Sequence, residues 1–264
     1  MAVRHYETLP LGQRPPLLRL NHVDKIFGGD VVALKDMTLQ VNQGDFISLL
    51  GPSGCGKSTA LRIISDLMHP TRGRVEWEGH HGRGDLGVVF QEPTLMPWAT
   101  VAQNVWLPFR LAGKSYAEVK DDVLEVLRLV GLEKFLNAYP RELSGGMKMR
   151  VSIARAIVTN PRLILMDEPF AALDEITRHK LNNDLLKLKD QIGCTVIFVT
   201  HSVFESVFLS DRIVVMAARP GRVLTELEVD APYPRGEEFR TSADYAAHAR
   251  RASEALKEAM GEPV

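Results

Sequence analysis

The chain has 264 residues, 45% hydrophobic and 25% charged, with a formal net charge of -1. This balance fits a soluble globular protein of one large or two small domains, and it gives no electrostatic reason to expect nucleic acid as a partner. Two cysteines, Cys55 and Cys194, exclude a disulfide framework and suit a reducing compartment, and there is no apolar run of about 18 residues to span a membrane.

Residues 1–16 are Pro-rich and polar, lack the apolar core of a signal peptide, and read as a flexible tail. Short β-like segments follow: LLRLNHV, VALKDMTLQV and DFISLL, with Gly28-Gly29 and NQG at 42–44 as turns. DFISLL leads into GPSGCGKST. STALRIISDLM then has helical spacing and stops before Pro70. RVEWEG and DLGVVF form a β-like pair joined by HHGRG. Pro93, Pro97 and Pro108 break up the next stretch, and KSYAEVKDDVLEVLRLVGL is predicted to be an amphipathic helix. A short helix leads to PRELSGG, and a further helix opens at Ser144 and runs to about Thr159. β/α alternation then resumes with RLILMD, ITRHKLNNDLLKLKDQIG, CTVIFVT, SVFESVFLS and RIVVMA, implying parallel strands with helical crossovers. RVLTELEV is β-like. The end of the chain is predicted to be a helix with Tyr245, Ala249, Ala252, Leu256 and Met260 on its apolar face.

The residues that carry chemistry sit at the ends of these elements. Gly51, Pro52, Ser53, Gly54, Cys55, Gly56, Lys57, Ser58 and Thr59 match G-x-x-x-x-G-K-[ST] between a strand and a helix, the context a phosphate loop requires. Its glycines let successive amides wrap phosphates, Lys57 supplies a cation, and Ser58 can ligate Mg²⁺. Asp167 ends an apolar strand, where a P-loop protein keeps a carboxylate for Mg²⁺, and Glu168 beside it suits a group that orients or deprotonates water. His201 and Gln91 end two further strands, at the edge where ligands bind in parallel sheets. In LSGG, residues 143–146, Ser144 is an N-cap, and Gly145 and Gly146 leave the first-turn backbone bare for an anion.

GPSGCGKST, Gln91, LSGG, LILMDEP, Leu173-Asp174 and His201 occur in the order and spacing of ATP-binding cassette ATPases. Over residues 17–222 the chain resembles that family. VVFQEPTLMPWATVAQNVWLP, RPGRV and PYPRGEEF resemble, more narrowly, its importer subunits for nitrate, taurine and alkanesulfonates. The resemblance implies an α/β fold: a P-loop NTPase (RecA-like) core with an antiparallel β subdomain and an inserted helical subdomain at about 92–160. The cassette would occupy 17–240, with an amphipathic helix at 241–264.

By position, it implies catalytic roles for Glu168 as base, His201 as γ-phosphate contact, Gln91 and Lys57. Ser58, Gln91 and Asp167 would hold Mg²⁺. Ser144, Gly145 and Gly146 would contact ATP bound to a second copy, and Asp174 would lie at the dimer interface. Phe27 either stacks on adenine or packs in the core. Residues 92–110 would receive a membrane subunit, with Pro97, Trp98, Val105, Trp106 and Leu107 either lining that groove or simply buried.

The expected function is an ATPase that dimerises on ATP and powers permease subunits at the cytoplasmic face of the membrane, fed indirectly by a periplasmic or extracellular solute-binding protein. A soluble cassette protein and an exporter ATPase are the alternatives. Departures from the family pattern are Met147, Met149, Ser202 and Asp66. Lys148, Arg150 and Arg155 read as a solvated helix face.

Overall fold

The computed structural model describes residues 9, 11–79, 82 and 84–261. After a 3-10 turn at Leu11–Gln13, the elements run in chain order. First come β1 (Pro16–Phe27), β2 (Val31–Asn42), β3 (Phe46–Leu50), α1 (Lys57–Ile64), β4 (Arg72–Trp77) and β5 (Leu86–Val89). They continue with α2 (Val101–Leu111), α3 (Tyr116–Leu129), α4 (Gly145–Ile157), β6 (Leu163–Asp167), α5 (Glu175–Ile192) and β7 (Thr195–Thr200). The last are α6 (Val203–Leu209), β8 (Arg212–Ala217), β9 (Arg222–Glu228), α7 (Glu237–Arg240) and α8 (Ala243–Met260). Contacts divide the chain into two units. Among the described residues, one is 82–194, and the other joins 195–261 to those before 82.

In the second unit, β1 lies between β2 and β4 in an antiparallel sheet, with Leu20 opposite both Leu39 and Val75. β3 lies between β7 and β8, parallel to both, and β9 closes on β8 antiparallel. β3 and β7 are buried at every position, as strands covered on both faces must be. A charged cluster closes one end of these strands: Arg14 reaches Asp45 at 3.2 Å and Asp211 at 2.9 Å, and Arg212 reaches Asp45 at 3.0 Å. The predicted tail therefore ends sooner than expected, because residues 11–16 form a turn, a half-buried cation and the start of β1. Residues 1–8 and 10 lie outside the described set.

Helix α8 packs on β8 and α6. Its buried stripe is Tyr245, Ala249, Ala252, Ala255 and Ala259, with Met260 exposed. The predicted face was thus wrong in its last turn, because a close-packed helix favours the small side chains one residue earlier.

In the first unit, β5 and β6 are parallel, with Val88 opposite Leu165. Helices α2, α3 and α4 pack together. α2 forms despite Pro108: a capping box of Thr100 and Gln103 starts it, and Asn104, fully buried, gives its amide to the carbonyls of Met96, Ala99 and Thr100. The prolines were expected to break this stretch, but Pro108 falls only in the last turn, where little helix remains to lose. The β-like pair β4 and β5 is not a hairpin. β4 joins β1, while β5 joins β6.

Candidate functional site

The phosphate loop is built from its flanks. β3 is buried throughout and delivers Gly51, and α1 begins at Lys57. Gly56 adopts φ 92° as its N-cap, and a Cβ there would lie 2.6 Å from Leu34 Cδ2 and 2.9 Å from the Ala33 carbonyl, so only glycine fits. Lys57, 5% exposed, gives its ammonium to the carbonyls of Gly51 at 2.7 Å and Pro52 at 3.0 Å. Its third neighbour is Cys55 Sγ at 3.7 Å, a weak acceptor that an anion outcompetes. A cation is thus held over the loop beside first-turn amides that have no intrahelical acceptor. The Cys55 thiol is buried, and that burial raises its pKa against the opposing pull of Lys57.

A third segment braces the loop. Gly221 gives its N–H to Ala33 at 3.2 Å and takes one from Lys35 at 2.8 Å. A Cβ on it would fall 2.3 Å from the Cys55 carbonyl and 2.5 Å from that of Ala33. The RPGRV stretch is therefore a prop beneath the P-loop.

Phe27, at the end of β1, is 40% exposed, with Lys25 Nζ 5.3 Å from its ring centre. The core alternative for it fails. His201 follows β7 directly and is exposed. Ser202, after it, caps α6 by accepting the Glu205 N–H at 3.3 Å. Serine here does the capping that an aspartate would do. Asp66 adopts φ 57°, a left-handed conformation that aspartate tolerates better than most residues.

In the other unit, Asp167 ends β6 half-buried, and Glu168 adopts φ 46°. A left-handed non-glycine residue costs of order 1–3 kcal/mol and is found where function holds a side chain in place. Gln91 is exposed just beyond β5. Ser144 caps α4: its Oγ accepts the Met147 N–H at 3.3 Å, which uses a lone pair and leaves the hydroxyl proton for an anion. Gly146 is closely packed, since a Cβ would lie 2.9 Å from Thr177 Cγ2. Asp174 caps α5 by accepting the Thr177 N–H at 2.9 Å.

The structure decides two points left open for this unit and corrects one expectation, the solvated face of Arg150 and Arg155. Val105 is buried in the helical core and lines no groove, whereas Trp98 is 76% exposed and Leu111, unremarked in the sequence, 78%. Met149 is buried, so it is a packing residue of α4. Arg150 and Arg155 are not a solvated face. Arg150 binds the Val130 carbonyl and Asp184, and Arg155 donates to Pro93 O, Thr94 O and Thr94 Oγ1, each at 2.9 Å. Burial lowers the Arg155 pKa. A lone arginine in a helix gives no sequence signal of such carbonyl ligation.

A buried strand, a glycine loop gripping a buried lysine and a helix opening at that lysine define a P-loop nucleotide-binding protein. The family model described as ABC transporter matches residues 34–171. Among curated relatives, the chain is 42% identical to a nitrate import ATP-binding protein of a Synechocystis species, covering 81% of this chain and 83% of that one. It is 43% identical to an aliphatic sulfonates import ATP-binding protein of Bacillus cereus, covering 82% of this chain and 87% of the relative. Among solved structures, it matches an ATP-binding cassette dimer in a post-hydrolysis state with ADP and Pi, at a TM-score of 0.71 and 35% identity over 82% of this chain and 100% of that one. The chain belongs to the ABC transporter family and is an ATPase.

Proposed function

We propose that this chain is the ATP-hydrolysing subunit of an importer for a small anionic or zwitterionic solute of the nitrate, taurine and alkanesulfonate class. The observation that carries the reading is the presence, in one chain, of two separately built phosphate-reading elements: the loop around Lys57 and the capped helix at Ser144. One suffices to bind a nucleotide. A second without a cation suits a phosphate whose charge another copy already balances, which makes ATP the bond between two subunits.

Within this reading, the loop amides and Lys57 hold the β- and γ-phosphates, and Phe27 offers a flat face for adenine. The hydroxyl of Ser58 and the carboxylate of Asp167 are hard oxygen donors of the kind Mg²⁺ takes, together with nucleotide phosphates, and Gln91 joins them. Mg²⁺, when bound, neutralises charge on the transferred phosphoryl group. Glu168 takes a proton from the attacking water, and His201 contacts the γ-phosphate. The dimer places Asp174 at its interface. Among the described residues no helix is long and apolar enough to cross a membrane. Trp98 and Leu111 supply exposed apolar side chains for a permease at the cytoplasmic face, and an external solute-binding protein delivers the substrate. The strained backbone of Glu168 supports its assignment as base.

The test is Glu168→Gln. It should retain ATP binding, lose at least about 100-fold in turnover, and run as an ATP-dependent dimer on size exclusion. Unchanged turnover rejects Glu168 as base. Retention of that ATP-trapped dimer by Glu168→Gln/Ser144→Arg rejects the trans role of the α4 terminus.

A further inference from the structure

The PYPRGEEF stretch has no part in the chemistry above, yet its arginine is buried in an unusual way. Arg235 is 5% exposed and donates to five main-chain carbonyls. Three of them, Val207, Phe208 and Ser210, are at the C-terminus of α6, at 3.1, 3.2 and 2.8 Å. The fourth carbonyl in that run, Leu209, takes the Tyr233 hydroxyl at 2.8 Å. The remaining two, Val229 and Ala231, anchor the same guanidinium to the strand exit, at 3.2 and 2.9 Å. The Tyr233 and Phe239 rings flank it at 4.4 and 5.3 Å. A cation at a helix C-terminus faces the negative end of the dipole, and a rigid fork fills several carbonyls at once.

The other end of the seven-residue α6 is tied to His201. Thr200 donates its hydroxyl to Glu205 at 2.6 Å and accepts the Ser202 N–H at 3.0 Å, while Ser202 caps Glu205. His201 sits inside this closed loop of bonds. Nearer the start of α6, the Tyr245 hydroxyl donates to the Phe204 carbonyl at 3.0 Å and the two rings stack, and near its end Arg240 covers Phe208 at 3.4 Å. The segment from Ala231 to Tyr245 therefore grips α6 along its length, and α6 is bonded at its first turn to the backbone that carries His201.

We propose that Arg235 is a positioning residue for His201: through α6 it fixes where the imidazole meets the γ-phosphate, so the C-terminal segment sets how well the site tells ATP from ADP. This rests on the reading of His201 as the γ-phosphate contact. The mechanical reason is the shortness of α6. Two turns have no independent stability, so their position follows from the packing of their buried face, Val207 to Leu209, and from what holds their ends. Releasing the Arg235 end leaves that packing alone to fix α6 along its axis, and the loop at Thr200–Glu205 follows any shift of the helix.

The experiment measures ATP and ADP dissociation constants for wild type, Arg235→Met, His201→Ala and the double variant, in full-length protein. His201→Ala should weaken ATP by about tenfold, the loss expected for a hydrogen bond to a charged group, and leave ADP unchanged. Arg235→Met should do the same in direction and lose nothing further in the His201→Ala background. Arg235→Lys, which restores charge but not the fork, should recover part of the discrimination. Equal weakening of ATP and ADP in Arg235→Met, or a loss that adds in full to that of His201→Ala, overturns the proposal and marks Arg235 as a packing residue. If His201→Ala itself leaves the ATP-to-ADP ratio unchanged, the γ-phosphate reading falls and the proposal with it. A change in His201→Ala without one in Arg235→Met overturns the proposal alone. If Arg235→Met does not fold, Tyr245→Phe, which removes one bond to α6, carries the same comparison with a smaller shift and the same refuting outcomes.

Discussion

Substituting Gly221 by alanine tests whether the RPGRV stretch supports nucleotide binding from below. The added Cβ would lie 2.3 Å from the Cys55 carbonyl and 2.5 Å from that of Ala33, both main-chain atoms that cannot rotate aside. Gly221 cannot retreat either, because its N–H and C=O are both bonded to β2, at 3.2 and 2.8 Å. Relief requires the P-loop backbone at Cys55 to rise by roughly 0.7 Å, and overpacking of this kind costs about 1–3 kcal/mol. Lys57 is bonded to Gly51 and Pro52 of the same loop, so its ammonium moves with the distortion. The expected result is a thermal midpoint lowered by about 3–10 °C and ATP binding weakened by about tenfold, since misplacement near 1 Å is costly in a preorganised site. Fluorescence titration with an ATP analogue and thermal unfolding measure the two effects. Gly12→Ala, where nothing lies within 4 Å of the added carbon, is the control. ATP affinity within twofold of wild type, with the midpoint lowered as expected, would refute the claim that Gly221 acts on the loop.

Both thiols should resist Ellman's reagent at pH 8 in the folded protein and react on unfolding. Burial raises Cys55 and pushes Cys194 up to about 12, so rapid reaction of either in the native state contradicts the packing. The Asp174 pKa is lowered by its bonds to Thr177, and its cap on α5 is thus complete above the ordinary aspartate value of about 3.9 and lost as pH falls through the lower folded value. The stability gap between wild type and Asp174→Ala should accordingly hold steady from neutral pH to about 4 and close below that; denaturation midpoints across pH test this, and a gap that persists to pH 2 rules it out. Trp98→Ala should change stability by less than about 0.5 kcal/mol, as for an exposed site, yet reduce co-purification with permease subunits. Undiminished co-purification would remove Trp98 from that surface.

What the sequence made legible was set by local chemistry. The P-loop, the strand ending at Asp167 and the Ser144 cap each follow from a handful of adjacent residues whose geometry is dictated by glycine, serine or an apolar run. Helix α2 was hidden because proline counts as a breaker wherever it stands, and only the capping box and the buried Asn104 show that Pro108 falls in the final turn. The partners of β4 and β5 were unreadable because both are plain β-rich segments, and their sheets are chosen by residues far away in the chain. Arg155 and Arg235 were the hardest. Each is defined by carbonyls that only the fold assembles, and a carbonyl leaves no mark on a sequence.

Arg155 has one more consequence. Its three bonds rivet the last turn of α4 to Pro93 and Thr94, just beyond Gln91. Ser144 lies at the opposite end of that rod, about 16 Å away at 1.5 Å per residue. Geometrically this is a lever with its pivot at the rivet. A tilt of about 4° there carries the Ser144 hydroxyl through about 1 Å over that length, enough to make or break a hydrogen bond. The serine's reach is therefore decided as much by the angle at which α4 is bolted down as by its own cap.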